Sequence, residues 1–259
     1  MNSSVALITG ASSGIGYAAA LAFARHGTNV VAAARRSERL AELEQAINNL
    51  PEPHGAVLTV RADVQKAEDM QQAVEQAIRR FGRLDILVAN AGIGQRGSLI
   101  DSSWHDIETV LRTNIDGVLH SLRAAVPAMR RSGGGQIILI SSVMSSMPAP
   151  HAATYAASKA FISNLAASLR LELEADNIGV TNLLVGQTHT EFAQKRLGKS
   201  GRVASRLPTM AAEQVADAIV RAADRRQKTV VLRWLDRLIM LGNTLTPGLM
   251  GRIARRLYK

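Results

Sequence analysis

Hydrophobic residues along the chain fall into short continuous runs, and longer stretches with apolar residues at helical spacing separate these runs. Runs rich in Val, Ile, Leu and Ala predict buried strands, whereas the spaced patterns predict helices with one face on a core. The predicted strands cover residues 5–9, 29–34, 56–61, 84–89, 136–140, 178–185 and 229–232. The predicted helices cover residues 15–26, 37–49, 66–81, 103–131, 211–225 and a segment that includes 155–165.

Strands and helices alternate from the first strand to about residue 232. Such alternation predicts an α/β fold, namely a single doubly wound, Rossmann-type domain with a parallel sheet of about seven strands and helices on both faces. No internal repeat or low-complexity linker divides the chain. We therefore predict one domain over residues 1–232, followed by a basic amphipathic C-terminal extension over residues 233–259.

The composition agrees with a globular protein. Hydrophobic residues make up 47% and charged residues 20% of the chain, which is typical of a folded enzyme rather than of a disordered segment. The chain has no cysteine, so disulfides and thiolate metal sites are excluded, and its six His show no metal-ligand spacing. We predict no metal. No basic and apolar leader precedes the first strand, which predicts a cytoplasmic protein.

The net charge of +10 is concentrated at one end of the chain. Residues 225–259 contain nine Lys or Arg and one Asp, so they carry +8 of this charge. A surface that binds nucleic acid would combine widely spread basic residues with aromatic ones, and aromatic residues are only 3% of this chain. We therefore predict no nucleic-acid partner.

The first predicted strand and helix are joined by a glycine-rich turn, Gly10-Ala11-Ser12-Ser13-Gly14-Ile15-Gly16. Glycines at this position let the backbone approach a pyrophosphate, and the helix N-terminus adds amide donors and the positive end of its dipole. The turn therefore predicts a dinucleotide site. The alternative is a tight turn that binds nothing.

The second predicted strand ends in Arg35-Arg36, and no acid follows until Glu38. Dinucleotide folds that bind NAD usually place an Asp or Glu here for the ribose 2′-hydroxyl. Two guanidinium groups instead suit the 2′-phosphate of NADP through charge-assisted hydrogen bonds. We predict NADP in preference to NAD. The alternative is a solvated pair at the start of a helix.

Tyr155 and Lys159 are four residues apart in a predicted helix and therefore share one of its faces. Ionising a phenol at neutral pH costs roughly 4 kcal/mol, and a cation about 4 Å away is worth on the order of 4 kcal/mol at an effective dielectric of 20. The lysine could thus make the tyrosine an acid or base near pH 7. The alternative is a surface pair. Against it, the preceding strand ends in Ser141-Ser142, where open α/β sheets place ligands.

Several segments, in a fixed order, resemble those of the short-chain dehydrogenase/reductase family over roughly Val5 to Leu232. The interval of thirteen residues between Ser142 and Tyr155 is also that of the family. The matching segments are Thr9-Gly10-Ala11-Ser12-Ser13-Gly14-Ile15-Gly16, Asp63-Val64, Asn90-Ala91-Gly92, Asn114, Ser142 and Tyr155-Ala156-Ala157-Ser158-Lys159.

The resemblance implies an NADP-dependent oxidoreductase that transfers a hydride between nicotinamide and a carbonyl or alcohol substrate. It implies that Tyr155 is the general acid/base and that Ser142 hydrogen-bonds the substrate oxygen. It further implies that Lys159 lowers the pKa of the tyrosine and holds the nicotinamide ribose, and that Asn114 supports a proton-relay water. The alternative, from a different class, is a catalytically idle NADP-binding or scaffold protein on the same fold.

The resemblance also implies a cofactor site along the carboxyl ends of the strands. Asp63 would contact the adenine, Asn90 would line the cleft, and Arg35, with Arg36 beside it, would meet the 2′-phosphate. The full set of implied cofactor residues is Gly10, Ser12, Ser13, Gly14, Ile15, Gly16, Arg35, Arg36, Asp63, Val64, Asn90, Ala91, Gly92, Tyr155, Lys159, Thr188 and Thr190.

The segment after the sixth strand departs from the family pattern. The family usually has Pro-Gly followed by a Thr for the nicotinamide amide, whereas this chain has Val185-Gly186-Gln187-Thr188-His189-Thr190. Without the proline the backbone loses a fixed φ. The pattern therefore supports cofactor contacts of Thr188 and Thr190 less directly than the other contacts.

Residues near the predicted catalytic groups are mixed but mainly apolar, which favours a hydrophobic, lipid-like carbonyl over a small polar sugar. We interpret the two histidines among them as pocket walls rather than catalysts. The family resemblance implies a homo-oligomer formed through the helices that hold Asn114 and Tyr155. The candidate pocket residues are Ile93, Gly94, Val143, Met144, Met147, His151, Thr188, His189 and a predicted mobile flap over residues 191–208.

The tail, residues 230–259, extends beyond the segment shared with the family. Arg233, Asp236 and Arg237 interrupt its apolar run well short of the roughly 18 residues that cross a bilayer. Two alternatives remain open. Its apolar stripe packs on the domain or on a neighbouring subunit, as such stripes ordinarily do, or it lies peripherally in the interface of an anionic membrane, with Trp234 among clustered arginines.

Overall fold

The computed structural model describes residues 4–198 and 209–257, and it confirms the predicted α/β fold. In chain order the strands are β1 (Val5–Thr9), β2 (Asn29–Ala34), β3 (Val57–Arg61), β4 (Ile86–Ala89), β5 (Gln95–Arg96), β6 (Gly135–Ser142), β7 (Ile178–Val185), β8 (Leu197–Gly198) and β9 (Thr229–Val231). The helices are α1 (Gly14–Arg25), α2 (Ser37–Asn48), α3 (Ala67–Phe81), α4 (Trp104–Leu111), α5 (Gly117–Arg131), α6 (Ala153–Glu172), α7 (Ala212–Asp224), α8 (Trp234–Leu245) and α9 (Pro247–Leu257).

Seven of the strands form one parallel sheet in the order β3-β2-β1-β4-β6-β7-β9. The chain builds outward from β1 to β3, returns to β4 beside β1, and then builds outward in the other direction. The strand order therefore reverses between β1 and β4. The loops that leave the carboxyl ends of these two strands diverge and open a crevice, which is where open α/β sheets bind ligands.

Two hydrophobic layers cover the sheet, one on each face. α1, α2 and α7 pack on one face, where Phe23, Leu43 and Ile219 are buried. α3, α5 and α6 pack on the other face, where Met70 and Met129 are buried. Because the strands are covered on both sides, their sequences are continuous apolar runs rather than alternating ones.

The helix predicted over residues 103–131 is interrupted between α4 and α5. Residues Arg112–Asp116 form a single π-helical turn with Asn114 at its centre. Val110 before this turn and Val118 after it are both buried, and apolar residues recur at helical spacing on both sides, so the pattern predicted one helix. Single π turns within α-helices are frequent at functional sites.

The described part of the predicted flap contains structure that the sequence did not indicate. Residues Glu191–Ala193 form a short 3₁₀ turn, and β8 pairs in parallel with β5 as a separate two-stranded sheet. This pairing fastens the flap to the loop that follows β4. Residues 199–208 of the predicted flap lie outside the described residues, so the mobility expected of them stays a prediction.

The C-terminal extension forms α8 and α9, which pack against each other. α8 also contacts the short turn Val143–Ser146 that follows β6. Within residues 4–198 and 209–257, no helix has both the length and the apolar character needed to cross a bilayer. The last two residues of the tail lie outside this range.

Candidate active site

The glycine-rich turn after β1 leaves room for a ligand against the start of α1. Gly10 and Gly14 have positive φ angles of 68° and 57°, which glycine adopts without steric cost. A Cβ on Gly16 would lie 2.4 Å from the carbonyl oxygen of Gly10. No side chain caps the N-terminus of α1, and its first turn contains no acid. The amides of this turn are therefore available to an anion such as a pyrophosphate.

Thr9 and Asn90 fix the two loops at the point where the strand order reverses. Thr9 Oγ1 accepts hydrogen bonds from the backbone N–H of Asn90 at 3.0 Å and of Ala91 at 3.1 Å. Asn90 Nδ2 donates to the carbonyl oxygen of Thr9 at 2.9 Å. Thr9 stands in one of the segments that match the family. The only sign in the sequence that it fixes the loop after β4 is its position as the last residue of a buried strand.

The two arginines after β2 have different environments. Arg36 Nη2 donates to Ser13 Oγ at 2.7 Å and to Ser12 Oγ at 2.9 Å, so its guanidinium lies on the glycine-rich turn. The side chain of Arg35 is 64% exposed, and its Nη1 lies 3.9 Å from Asp63 Oδ2. The structure thus brings both positive groups next to other residues predicted to hold the dinucleotide.

Glu191, the first residue of the flap, joins the flap to these arginines. Its Oε2 lies 3.4 Å from Arg36 Nη1, and Arg39 and Lys195 also pair with it. The hydrogen bond from Lys195 and the charges around it lower the pKa of the Glu191 carboxyl. Glu191 is therefore ionised at neutral pH and holds the flap by charge.

The loop after β7 reaches the glycine-rich turn although Val185 replaces the proline of the family pattern. A Cβ on Gly14 would lie 3.2 Å from the Cβ of Thr190. Thr188 forms an isolated parallel bridge with Met210. The structure thus brings Thr190 against the predicted pyrophosphate site and uses Thr188 to fix the loop.

Three further predicted cofactor residues have structural contacts of their own. Ile15 is half-buried against the core beside α1. The carbonyl oxygen of Val64 lies 3.0 Å from His120 Nδ1. A Cβ on Gly92 would lie 3.2 Å from Asn114 Oδ1 and 3.5 Å from the Nζ of the catalytic lysine candidate. Gly92 therefore leaves space between two predicted catalytic side chains.

Asn114 is fully buried and binds three groups from the π-helical turn. Its Oδ1 accepts from the N–H of Ile93 at 2.9 Å, and its Nδ2 donates to the carbonyl of Ile93 and to Ser158 Oγ, each at 3.0 Å. The side chain thus ties the loop after β4 to α6. This contact brings the predicted relay residue to the helix that carries Tyr155 and Lys159.

Tyr155 on α6 lies beside Ser142, the last residue of β6. Burial raises the pKa of the Tyr155 phenol above its usual range, while a hydrogen bond from Ser142 and the nearby charge of Arg196 lower it by less. Ser142 Oγ also accepts from the N–H of Met144 at 3.2 Å, which fixes the serine at the start of the turn after β6. At neutral pH the phenol is therefore an uncharged acid with a hydroxyl partner.

Lys159 is buried beneath this pair. Its Nζ donates to the carbonyl oxygen of Ile140 at 2.8 Å and lies 5.9 Å from the centroid of the Tyr155 ring. Burial lowers the pKa of Lys159 to about 8. The spacing of four residues thus brings the two side chains together. The family resemblance implied that Lys159 lowers the pKa of Tyr155. In the structure this pKa is raised instead, because burial of the phenol outweighs the groups that favour its ionised form.

An apolar wall adjoins Tyr155. The ring of Phe192, from the flap, lies 5.8 Å from the Tyr155 ring, centroid to centroid. Met144 packs against a small cluster of buried alanines. Ala149 and Ala152 precede α6, and Ala156 lies on it next to Tyr155. Apolar side chains therefore lie on the flap side of the phenol and along the segment that leads into its helix.

Phe192 and Arg196 lie at this site, although sequence reasoning named the flap only as a whole. A Cβ on Gly94 would lie 2.9 Å from Arg196 Cγ and 3.1 Å from Phe192 Cε1. The pairing of β5 with β8 brings these side chains over the loop after β4. An aromatic residue within a polar, basic stretch was the only signal in the sequence.

The two histidines of the predicted pocket are held by their backbones. The carbonyl oxygen of His151 accepts from the N–H of Gly97 at 2.8 Å, and its own side chain is exposed. The N–H of His189 donates to the carbonyl of Met210 at 2.8 Å. Val143 lies in the turn after β6, and Met147 follows that turn.

The described residues fit a dinucleotide and not a metal. Within residues 4–198 and 209–257, no group of three or more His, Asp or Glu could hold a metal ion. The open glycine-rich turn, the uncapped start of α1 and the two arginines after β2 instead offer amide donors and positive charge to phosphate groups. The uncharged phenol, its serine partner and the buried amine lie at the same edge of the sheet.

Comparisons with known proteins agree with this geometry. A family model described as short chain dehydrogenase matches residues 4–200. The protein named 11-beta-hydroxysteroid dehydrogenase A from Sesamum indicum is 38% identical to this chain over an alignment of 267 positions. The alignment covers 98% of this chain and 75% of that protein.

Two solved structures resemble the fold over most of its length. A short chain dehydrogenase/reductase from Burkholderia phymatum in complex with NAD has a TM-score of 0.87 at 25% identity and covers 96% of this chain and 95% of its own. An alcohol dehydrogenase from the archaeon Thermococcus sibiricus, complexed with 5-hydroxy-NADP, has a TM-score of 0.78 at 27% identity and covers 88% of this chain and 94% of its own. Similar chains therefore hold nicotinamide dinucleotides of both kinds.

Proposed function

The chain belongs to the short-chain dehydrogenase/reductase family and is therefore an oxidoreductase acting on CH–OH and C=O groups. We propose that its cofactor is NADP, that Tyr155 is the general acid/base, and that its substrate is a hydrophobic carbonyl or alcohol. The observation that carries this proposal is the uncharged Tyr155 phenol, hydrogen-bonded to Ser142 at the carboxyl edge of the sheet. A neutral phenol beside a second hydroxyl can share a hydrogen bond with one carbonyl oxygen and then give it a proton.

Each predicted catalytic side chain has a task that follows from its position. Ser142 holds the substrate oxygen while Tyr155 donates to it, or accepts from it in the reverse direction. Lys159 would hold the nicotinamide ribose and favour negative charge on Tyr155, because its buried Nζ lies 5.9 Å from the centroid of that ring. Asn114 holds the loop after β4 against α6 and keeps these groups aligned. The bound nicotinamide supplies or accepts the hydride.

NADP is proposed over NAD because β2 is followed directly by two arginines and by no acid until Glu38, at the position where dinucleotide folds recognise the ribose of the adenosine half. Arg36 is held on the glycine-rich turn by Ser12 and Ser13, and Arg35 is largely exposed after β2. Charge-assisted hydrogen bonds from both would favour a 2′-phosphate. A bound phosphate would also replace Glu191 as a partner of Arg36.

Titration of both cofactors by calorimetry tests this preference. Arg35→Asp and Arg36→Asp should each weaken NADP binding by tenfold or more, roughly the loss of one charged hydrogen bond, and change NAD binding little. Arg79→Asp is the matched control, since Arg79 is an exposed arginine on α3 and is not among the predicted cofactor residues. Equal affinity of the unmodified protein for the two cofactors would contradict the proposal.

A hydrophobic substrate is proposed because the wall beside Tyr155 is built from Phe192, Met144 and buried alanines. A relative whose name states a hydroxysteroid as substrate has 38% identity with this chain. A panel of carbonyl compounds from small polar aldehydes to large apolar ketones, assayed with NADPH, should show the highest kcat/KM for apolar members. Preference for short sugars would contradict the substrate class without affecting the catalytic assignment.

Tyr155→Phe tests the catalytic assignment. The variant removes the proton donor but keeps the ring and its contact with Phe192, so we expect a loss of 10²-fold or more in kcat, with NADPH affinity and melting temperature close to those of the unmodified protein. Full activity of the variant would refute the role. An unmodified protein that binds NADPH and turns over no carbonyl of the panel would instead be the idle dinucleotide-binding protein.

A homo-oligomer is proposed through α4–α6. Trp104 on α4 is 70% exposed, and Phe161 and Leu171 on α6 are 38% and 78% exposed. Large apolar side chains on the outer faces of neighbouring helices are typical of subunit interfaces. Light scattering at micromolar concentration should give the mass of a dimer or tetramer, and Leu171→Glu should reduce it. A monomer mass for the unmodified chain would contradict this proposal.

A further inference from the structure

Helix α8 carries an apolar stripe that faces away from the domain. Trp234, Leu238, Leu241 and Leu245 are 73%, 53%, 53% and 70% exposed. Their spacing of four, three and four residues places all four within an arc of about 60° on the helix surface. These four side chains therefore do not pack on the described part of the domain, and the predicted alternatives for them are a neighbouring subunit and a membrane.

The opposite face of α8 is firmly attached, so the stripe is not exposed by a loose helix. Asp236 is 1% exposed and accepts from Arg233 Nε at 2.8 Å and Nη2 at 2.6 Å. Asn243 Nδ2 donates to the carbonyl oxygen of Ser146, in the turn after β6, at 2.5 Å. A helix fixed at both ends presents its outer face in a defined direction. That turn begins next to Ser142, so α8 is attached to the segment that follows the candidate active-site serine.

Helix α9 continues the same surface character. Leu249 and Ile253 are 49% and 40% exposed. The charged side chains exposed along α8 and α9 are all arginines, since the acid in these helices, Asp236, is buried in its pair with Arg233. The exposed arginines are Arg237, Arg252, Arg255 and Arg256.

This charge distribution favours one of two possible partners for the exposed apolar side chains of α8 and α9, namely a second copy of the chain or a lipid surface. A second copy of the chain related by a two-fold axis would bring the same patch against itself and place arginines opposite arginines. A surface of anionic lipid headgroups instead complements the arginines, and its acyl boundary takes up Trp and Leu side chains.

We propose that α8 and α9 form a docking surface for an anionic lipid bilayer. Trp234 and the leucines of α8 enter the boundary between headgroups and acyl chains, and the arginines bind phosphate groups around them. The docking proposal stands on the exposed residues alone and does not require the proposed reaction.

Flotation with vesicles of known composition tests this proposal on the full-length protein. We expect the protein to float with vesicles of phosphatidylglycerol and phosphatidylcholine at 50 mM salt, to bind pure phosphatidylcholine at least tenfold more weakly, and to be released in high salt. Absence of binding to the anionic vesicles at low salt would overturn the proposal.

Two paired variants identify the surface. Arg255→Gln with Arg256→Gln should weaken binding about thirtyfold, which corresponds to about 1 kcal/mol per arginine near an anionic surface. Arg79→Gln with Arg131→Gln removes the same charge from exposed positions on α3 and α5 and should change binding little. An equal loss in both pairs would show binding by net charge alone and would overturn the proposal.

Leu241→Glu with Leu245→Glu separates lipid docking from self-association. Both side chains are exposed, so the variant should fold with an unchanged melting temperature, an unchanged mass in light scattering and at least a tenfold loss of vesicle binding. If the mass of the free protein falls instead, the stripe joins two copies and the lipid proposal fails. If the variant still floats with vesicles, α8 is not the docking surface.

Discussion

Lys159 is the residue at which stability and chemistry oppose each other. Burial lowers its pKa from the usual 10.5 to about 8, so at pH values between these two the unfolded chain binds more protons than the folded one. Stability therefore rises with pH across this window, and the cost of burying the ammonium is fully present below about pH 8. The shift corresponds to roughly 3 kcal/mol.

Lys159→Met should therefore make the protein more stable and inactive. At pH 7 we expect a gain of about 2 kcal/mol in the free energy of unfolding, since relief from charge burial is offset by about 1 kcal/mol for the lost bond to the Ile140 carbonyl. The gain should shrink as the pH rises from 8 to 10.5. Urea unfolding at pH 7 and pH 10 checks this, with the exposed Lys228→Met as control. A destabilised variant at pH 7 would contradict the argument.

Arg196 acts on the candidate active site through its charge. Its positive charge lowers the pKa of the Tyr155 phenol, so Arg196→Gln should raise that pKa. The proposed base for oxidation of an alcohol is the Tyr155 phenolate. The pH–rate profile of this oxidation should therefore shift to higher pH in Arg196→Gln. Lys195→Gln, one residue away in the flap, removes a charge that pairs with Glu191 and should leave the profile unchanged. Equal shifts in both variants would show a general charge effect instead.

At the scale of elements, the attachment of α8 depends on one small residue after β7. A Cβ on Gly186 would lie 2.5 Å from both Arg233 Nη2 and Asp236 Oδ2. Any larger side chain would force apart the ion pair that holds the start of α8. The loop after β7 and the C-terminal extension are therefore mechanically joined.

Gly186→Ala should loosen α8 without unfolding the sheet. Moving a buried ion pair to make room for one methyl group is expected to lower the free energy of unfolding by about 1–3 kcal/mol. Cleavage by a protease within α8 or α9 should also become faster. Gly248→Ala in α9 is the control, because nothing lies within 4 Å of its Cβ position, and it should be neutral or slightly stabilising. Equal protease resistance of Gly186→Ala and the unmodified protein would refute the coupling.

Elements with a strong local pattern could be predicted, and elements that depend on distant pairing could not. β2 and β7 begin and end at the predicted residues, because burial on both faces requires continuous apolar runs. β5 and β8 have two residues each and exist only through their pairing across about a hundred residues of chain, so no local pattern marks them. The π-helical turn at Asn114 has apolar residues at helical spacing on both sides, so no local pattern marks it either.

At the scale of the whole molecule, the alternation of strands and helices was enough to predict the sheet, and the position of its crevice follows from the strand order. The glycine-rich turn and the residues of α6 could be placed because each follows a strand that ends at the same edge. The contact between Arg36 and Glu191 could not, because the sequence separates them by 155 positions. The outward direction of the α8 stripe depends on tertiary packing and was also beyond the pattern.

Cofactor binding should appear as a change in global stability. A ligand at a hundred times its Kd stabilises the folded state by about 2.7 kcal/mol, which is roughly 5–10 °C in Tm for a chain of this size. NADP should raise the Tm by this amount at concentrations where NAD has little effect, because Arg35 and Arg36 favour the additional phosphate. Inorganic phosphate at matched ionic strength is the control. Equal shifts with NADP and NAD would contradict the predicted preference.

The π-helical turn at Arg112–Asp116 also limits how the length of this chain can change over evolutionary time. Loss of one residue inside the turn would restore an uninterrupted α-helix and leave α4 and α5 in register, so the descendant would fold but would lose the placement of Asn114. Loss of one residue inside α5 would rotate everything after it by about 100° and expose its buried face. We therefore expect a single deletion within these five positions to displace Asn114 while the fold is kept, and a single deletion within α5 to disrupt the fold as well.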